Sequence, residues 1–304
     1  MAHLGSQALA DTSLAVKPRA RRNPVLHFIS RLFREKPLGA VCAIIFVLFL
    51  FCGIFADVLA PYGYNQIAPL KRLRPPSLDF PFGTDNLGRD MLSRCLYGAQ
   101  LSVIIGFCAA GLATVISIVL GIVSGYLGGK FDLVLQRFVD AWMSFPDLII
   151  LIVVVSVVGP GMPQIIVTLG MLLGIGGSRI IRGAVVSVRE NMYVHAAQST
   201  GASTFRILWR HILPNVMAPV IVLFTTRVGT VILAESGLSF LGLGVPPPAP
   251  TWGGLLSGSG RTYMLQGPWL ALAPGLCLTT VVYATNMFGD ALRDLLDPRM
   301  RGSR

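Results

Sequence analysis

Along this chain, long uncharged runs alternate with short gaps that hold nearly all of the charged residues. Residues 38–56 carry no charge, and at 1.5 Å per residue a helix of about that length covers the ~30 Å hydrocarbon core of a bilayer. Asp57 and the APYG turn at 60–63 end the run, so a first transmembrane helix is expected within 38–60 and a proline-rich loop over 61–97. The uncharged stretch between Arg94 and Lys130 would be roughly 50 Å long as a helix, more than one crossing needs, which places the second span near 101–126. Within it, Gly121 and Gly125 form a small-xxx-small pair that admits a close neighbour. A third span starts in the interface, is polar at Asp140, breaks at Pro146 and is apolar over 148–158. Spans near 165–181, 216–241 and 268–289 complete an all-α integral membrane fold of six transmembrane helices.

Composition agrees with this pattern. The chain is 53% hydrophobic and only 13% charged, against about 25% charged in soluble domains, and its mean hydropathy is +0.68. The formal charge of +11 sits in the gaps between spans, as membrane orientation requires, so nucleic acid is not an expected partner. Residues 1–23, with Lys17, Arg19, Arg21 and Arg22 and no apolar h-region, read as a disordered cytoplasmic arm. Over 24–37, Val25, Phe28, Ile29, Leu32 and Phe33 recur at helical spacing opposite Arg31, Arg34 and Lys36. That predicts an interfacial amphipathic helix, or else only a basic flank to the first span. Arg293, Arg299, Arg301 and Arg304 mark 291–304 as a cytoplasmic tail, so both termini are expected inside the cytoplasmic (inner) membrane. The five cysteines show no metal or redox spacing.

The stretch HAAQSTGASTFRILWRHILP, 195–214, is unlike its surroundings. Ala196, Ala197, Gly201 and Ala202 are small enough to lie against another surface, and Gly201 allows a change of direction between two short helices. Ser203 is a plausible N-cap, after which Phe205, Leu208, Trp209 and Ile212 follow at i, i+3, i+4 and i+7 as one apolar wedge. Arg206, Arg210 and His211 take other faces and Pro214 marks the junction with the fifth span. Together they form a compact docking element for a partner. The fifth span contains Arg227 and Glu235, about 80° apart around a helix and about 12 Å along it, too far for direct pairing. Charges in a span face protein or water, so the pair offers structural contacts, a conduit lining or a subunit interface.

Of the outer loops, residues 83–90 read as a solvated turn, with Gly83, Asp85, Asn86, Gly88, Arg89 and Asp90, and Arg89 near both carboxylates. Calcium-loop spacing is absent and no metal is expected there. The loop over 242–267, with Pro246, Pro247, Pro248, Pro250 and Trp252, suits a membrane-surface anchor or a seat for an extracytoplasmic protein. No G-x-x-x-x-G-K-[ST] is present, the four histidines (His3, His27, His195, His211) make no H-E-x-x-H, and no Ser/His/Asp constellation occurs in a span. The chain is therefore expected to move something without catalysing a reaction itself.

The 195–214 segment resembles the EAA loop of ABC-importer permeases, with HAA at 195–197, Gly201 four residues on and Ile212, Leu213 and Pro214 closing it. GTDNLGRDMLSR at 83–94, SFLGLGVPPPAPTWG at 239–253 and FGDALRDLLDPR at 288–299 are similar to the peptide branch of that family, the dipeptide and oligopeptide C-type subunits. The likeness implies a type I ABC importer transmembrane fold, with 98–290 as the permease core and 195–212 as the coupling loop that meets a cytoplasmic ATPase. It further implies a heterodimer with a homologous permease subunit, two ABC ATPase subunits that hold ATP and Mg, an extracytoplasmic solute-binding protein, and a lipid surround. No cofactor is implied in this chain. The substrate class implied is small peptides; relatives of the branch also carry glutathione, nickel complexes and opine-like compounds. His195 departs from the pattern, since the family has Glu there; the imidazole is either a tolerated replacement or a pH-sensitive coupling group, and no ion pair is carried over. An ion-coupled secondary transporter is a less fitting alternative, because no internal repeat is visible.

Overall fold

The computed structural model describes residues 24–296, which are helical almost throughout. The expected arm over 1–23 and the tail beyond 296 lie outside the described residues. In chain order the elements are α1 (Pro24–Glu35), α2 (Pro37–Ile54), α3 (Ala56–Leu59), a 3-10 turn (Pro69–Lys71), α4 (Met91–Leu127), α5 (Gly129–Met143), α6 (Asp147–Val158) and α7 (Met162–Arg189). Then follow α8 (Met192–Ser199), α9 (Thr204–Ile207), a π turn (Leu208–Ile212), α10 (Leu213–Asn215) and α11 (Met217–Phe240). The chain closes with α12 (Trp252–Leu255), a π turn (Leu256–Gly260), α13 (Arg261–Tyr263) and α14 (Trp269–Leu296).

Among the described residues, five helices, α2, α4, α7, α11 and α14, are long and apolar enough to cross a membrane. The sixth crossing is the α5–α6 pair, bent by 80°. At 12 residues α6 reaches only ~18 Å, so it cannot span alone. Pro146 sits at the break, where it lacks a helical N–H and is itself extended, with ψ 125°, before α6 starts at Asp147.

Two boundaries differ from the sequence reading. The loop expected to run to 97 stops at Asp90, because the Asp90 carboxylate accepts the Ser93 backbone N–H at 2.8 Å and starts α4 at Met91. With 37 residues, α4 is about 55 Å long and extends beyond the 101–126 span. At the other end of the chain, helix continues through Leu296, so 291–296 belong to α14 and not to a tail. The expected interfacial helix α1 turns two apolar residues inward: Leu32 is buried against Ala40 of α2 and Ala291 and Leu295 of α14, with Phe28 half-buried against the same cluster, whereas Ile29 and Phe33 stay exposed. Lys36, between α1 and α2, pairs with Asp294 of α14.

The centre of the bundle is a parallel pairing of α4 with α7. Built at Gly170, a Cβ would lie 2.6 Å from Leu112; at Gly174, 2.8 Å from Ile116; at Gly121, 2.7 Å from Ile181; and at Gly125, 2.9 Å from Val185. The contacts advance together along both helices, so the two run the same way, and the bent α5–α6 pair brings the chain back between them. The predicted Gly121/Gly125 pair is thus answered by Gly170 and Gly174 at the same spacing. Without these glycines the two backbones would be forced apart. We expect Gly121→Val and Gly174→Val each to cost about 1–3 kcal/mol and to lower the thermal unfolding midpoint in detergent. Gly183→Val, where nothing lies within 4 Å of the added carbon, should leave the midpoint unchanged.

Candidate functional site

The end of the bundle where α7 stops and α11 starts carries the 192–216 segment, folded as a helix, a reversal and a second, broader helix. The reversal is a Schellman closure of α8. Gly201, at φ +77°, donates its N–H to the Gln198 carbonyl at 2.9 Å, and Ala202 donates to the Ala197 carbonyl at 3.0 Å. A non-glycine residue in that left-handed conformation is strained by roughly 1–2 kcal/mol. Ser203 then caps α9, its Oγ accepting from the Arg206 N–H at 3.4 Å, as its position before the apolar run suggested.

The wedge read from helical spacing is divided in the structure. Phe205 is 75% exposed and Trp209 66% exposed, whereas Ile212 is fully buried and Leu208 half-buried. The π turn over Leu208–Ile212 is the cause. On an α-helix, residues five apart point about 140° from each other; the i→i+5 geometry of a π turn brings them over one another. Ile207 and Ile212 therefore share the inner face, and Phe205 and Trp209 are left together outside. Their rings are nearly parallel, 6° between planes and 6.5 Å between centroids, with Arg206 and Arg210 exposed beside them.

Beneath this aromatic pair the segment is anchored on three long helices. Val194, Ile207, Ile212 and Val216 form one buried cluster with Ile122 of α4, Ile181 and Val185 of α7, and Val220 and Leu223 of α11; Ala197 and Ala202 pack against it. Polar contacts reinforce it, since Gln198 donates to the Tyr126 hydroxyl at 3.3 Å and Arg189 to the Tyr126 carbonyl at 3.0 Å. His195, Ala196 and Pro214 are exposed. The anchors Val194, Ile207 and Val216 were missed from sequence because short helices with a π turn obscure the 3.6-residue period. Tyr126 lies far along the chain and gives no local signal.

Arg227 and Glu235 do not meet. Arg227 is 6% exposed and donates to the Ser117 hydroxyl at 3.0 Å and to the Leu173 carbonyl, bolting α11 to the α4–α7 seam. A side chain at Gly177 would collide with its guanidinium. Glu235 is 1% exposed and accepts from the Ser239 hydroxyl at 2.6 Å and the Ser236 hydroxyl at 3.4 Å. Neither lines an open path within this chain.

The expected solvated turn at 83–90 is a buried latch instead. Asp85, fully buried, accepts N–H groups from Leu87 at 2.8 Å and Arg89 at 2.9 Å, the Arg89 Nε at 2.7 Å and an Arg94 guanidinium N–H at 3.4 Å. Both oxygens of the Asp85 carboxylate are therefore engaged twice over. One oxygen of Asp90, Oδ2, caps α4, and among the described residues Arg89 forms its ion pair with Asp85. Gly83 and Gly88 hold positive φ, +68° and +78°, and Gly88 packs against the Ala68 backbone. Trp269 at the start of α14 donates its indole N–H to the Thr84 carbonyl at 3.1 Å, and Trp252 donates to the Cys95 carbonyl at 3.0 Å. These contacts tie the loops over 61–90 and 242–267 to the ends of α4 and α14.

Residues 117–302 match the family described as binding-protein-dependent transport system inner membrane component, and 29–76 match the N-terminal TM domain of oligopeptide transport permease C. The chain is 38% identical to the dipeptide transport system permease protein of Alkalihalophilus pseudofirmus over 88% of each chain. It is 39% identical to a putative peptide transport system permease protein of Brucella suis over 96% of this chain and 98% of that one. Against the glutathione transport system permease protein of Escherichia coli O157:H7 it is 37% identical over 97% of each. Among solved structures, a chain of the MetNI methionine ABC transporter in an inward-facing conformation aligns with a TM-score of 0.56 and 17% identity. That alignment covers 68% of this chain and 98% of the other, and shows a shared fold, that of type I ABC importer permeases.

The Arg227 bolt is open to a direct test. Gly177→Ala should destabilise the protein, because the added methyl displaces the guanidinium from its buried acceptors, at a cost of about 3 kcal/mol or more. Arg227→Met, which removes the charge together with its need for partners, should cost less. In the double variant Gly177→Ala/Arg227→Met most of the Gly177→Ala loss should be recovered, read as unfolding midpoints in detergent; additive losses would contradict the assignment.

Proposed function

The chain belongs to the family of binding-protein-dependent transport system inner membrane components, and from that premise we propose that it passes small peptides inward as one permease of an ATP-driven ABC importer. The observation that carries the reading is the Phe205–Trp209 pair, two exposed parallel rings on a base buried against α4, α7 and α11. A protein–protein anchor has this form: large, rigid aromatic area that loses little conformational entropy on docking. With Arg206 and Arg210 beside the rings, the fitting partner surface is an apolar groove with an acidic rim. A cytoplasmic ATPase that closes on ATP would pull on this loop, and the shared cluster would convey the displacement to all three helices at once.

On this reading the 192–216 end faces the cytoplasm with both termini, and the latched loops face outward, where a solute-binding protein would seat. A homologous permease would complete the conduit, and two ATPase subunits would hold ATP and Mg. Peptide cargo is supported by the named relatives, which include dipeptide and putative peptide permeases. The glutathione permease relative supports a second reading, a γ-linked peptide, at nearly equal identity. Selectivity between these would rest largely with the binding protein.

Membranes holding this chain alone should show no ATP-dependent dipeptide uptake, and co-expression with the partner permease, ATPases and binding protein should confer it; uptake by the chain alone on an ion gradient would refute the reading. Within the assembled system, Trp209→Ala should weaken ATPase docking by about 2 kcal/mol, roughly 30-fold, at wild-type expression and unfolding midpoint. Ile207→Ala, by contrast, should lower the midpoint, since it empties a buried site at about 2–5 kcal/mol. Wild-type uptake and ATPase retention in Trp209→Ala would remove the coupling role.

A further inference from the structure

At the same end of the bundle as the coupling loop, an open groove of about 450 Å³ lies between α11 and α14. Its walls include Ile180 of α7 and Pro219, Val222 and Thr226 of α11, and its rim holds Asp290 and Arg293 of α14. These two charges are three residues apart, about 4.5 Å along the helix axis, and on one face. Both are exposed, and among the described residues neither makes an ion pair or a side-chain hydrogen bond. Asp294, one position beyond, is by contrast taken up by Lys36. The free pair is therefore a choice of the groove and not a general feature of this helix end.

The polarity continues away from the rim. On α11, Thr230 lies one turn beyond Thr226 and is exposed; on α14, Asn286 and Tyr283 precede Asp290 by one and two turns, half-buried and 56% exposed. Faces of transmembrane helices that meet acyl chains are apolar, so a stripe of threonine, asparagine and tyrosine leading to a charged rim faces water or another protein.

We propose that this groove is a substrate-binding site on the wall of the conduit, taking a small zwitterionic peptide with its ammonium at Asp290 and its carboxylate at Arg293. The inference rests on the peptide-importer reading above. The terminal charges of an extended dipeptide are about 7 Å apart, within the reach of two flexible side chains one turn apart. The Ile180, Pro219 and Val222 walls receive an apolar side chain, and the volume falls within the ~300–1,000 Å³ of small-molecule sites. An anionic lipid headgroup would be attracted by Arg293 and repelled by Asp290. A zwitterionic lipid headgroup shares the ammonium and oxyanion chemistry and is separated by experiment.

The test uses the assembled transporter in proteoliposomes with alanyl-benzoylphenylalanine as a photoreactive dipeptide, adducts being mapped by mass spectrometry under ATP turnover. Adducts are expected within 218–226 and 290–296, competed by alanyl-phenylalanine and not by its N-acetylated, C-amidated form. Asp290→Asn and Arg293→Gln should each reduce adduct yield and raise the half-saturating dipeptide concentration about tenfold, as loss of one charge-assisted hydrogen bond does. Asp290→Glu and Arg293→Lys should restore most of the yield. Adducts confined to other segments, equal competition by the blocked dipeptide, or competition by phosphatidylethanolamine in place of dipeptide would each overturn the site. Failure of the wild-type complex to take up any dipeptide would overturn the importer reading beneath it; dipeptide uptake with adducts elsewhere overturns the groove alone.

Discussion

Two helices that pass through a bilayer in the same direction need a third segment to bring the chain back, and in this protein that constraint organises the rest. α4 and α7 run parallel with their backbones separated by glycines on both sides, Gly121 and Gly125 against Gly170 and Gly174. Apolar side chains gain nothing by leaving lipid for one another, so close van der Waals approach holds such a pair together. The return segment is then free to be irregular. The α5–α6 pair, bent by 80° at Pro146, makes that return and is the least regular crossing of the six. Arg227 adds a second tie: its guanidinium takes the Ser117 hydroxyl and the Leu173 carbonyl, one from each helix of the seam, and so fixes α11 against both.

Because the three helices are fixed to one another, a loop attached to all of them acts on them as a unit. The buried side chains of 192–216 reach Ile122, Ile181, Val185, Val220 and Leu223, and no single helix owns the contact. A force applied at the exposed rings would then tilt the α4–α7–α11 group rather than bend one helix, since packed interiors transmit displacement with little compression. The Asp85 latch serves the opposite end in the same manner. By engaging two backbone N–H groups and two arginines, it makes the loops at that end a stiff extension of α4 and α14, through the Trp252 and Trp269 indoles.

The crossings were legible in sequence because lipid tolerates few charges, and the uncharged runs over 38–56 and 95–129 lie largely within α2 and α4. What escaped was set by geometry that residue spacing does not encode. A π turn moves Ile207 and Ile212 to one face and separates Phe205 and Trp209 from their expected partner Ile212. Turn composition at 83–90 resembles any hydrated loop, and only the tertiary fold shows that Asp85 is enclosed by its own arginines. For Arg227 the sequence left structural contacts, a conduit lining and a subunit interface open, because a charge in a span must face polarity but its source is tertiary; within this chain a carbonyl and a hydroxyl from two other helices supply it. The position of the loop within the chain and its partition into small and amphipathic halves were, by contrast, visible in the residues themselves.

His195 stands where the resemblance to the EAA loop implies a glutamate. The expected glutamate would carry a charge, and its loss would matter to this chain if a neighbouring arginine depended on it. Yet His195 is exposed, and among the described residues its side chain has no hydrogen bond or ion pair. The nearby arginine Arg189 is already engaged with the Tyr126 carbonyl and Glu190. Replacing a surface carboxylate that has no partner within its own chain costs the fold little, since exposed single charges contribute on the order of 0.5 kcal/mol or less. On the proposed importer reading, any consequence of the histidine would be felt by the partner surface that meets α8, where a basic group would lose an attraction.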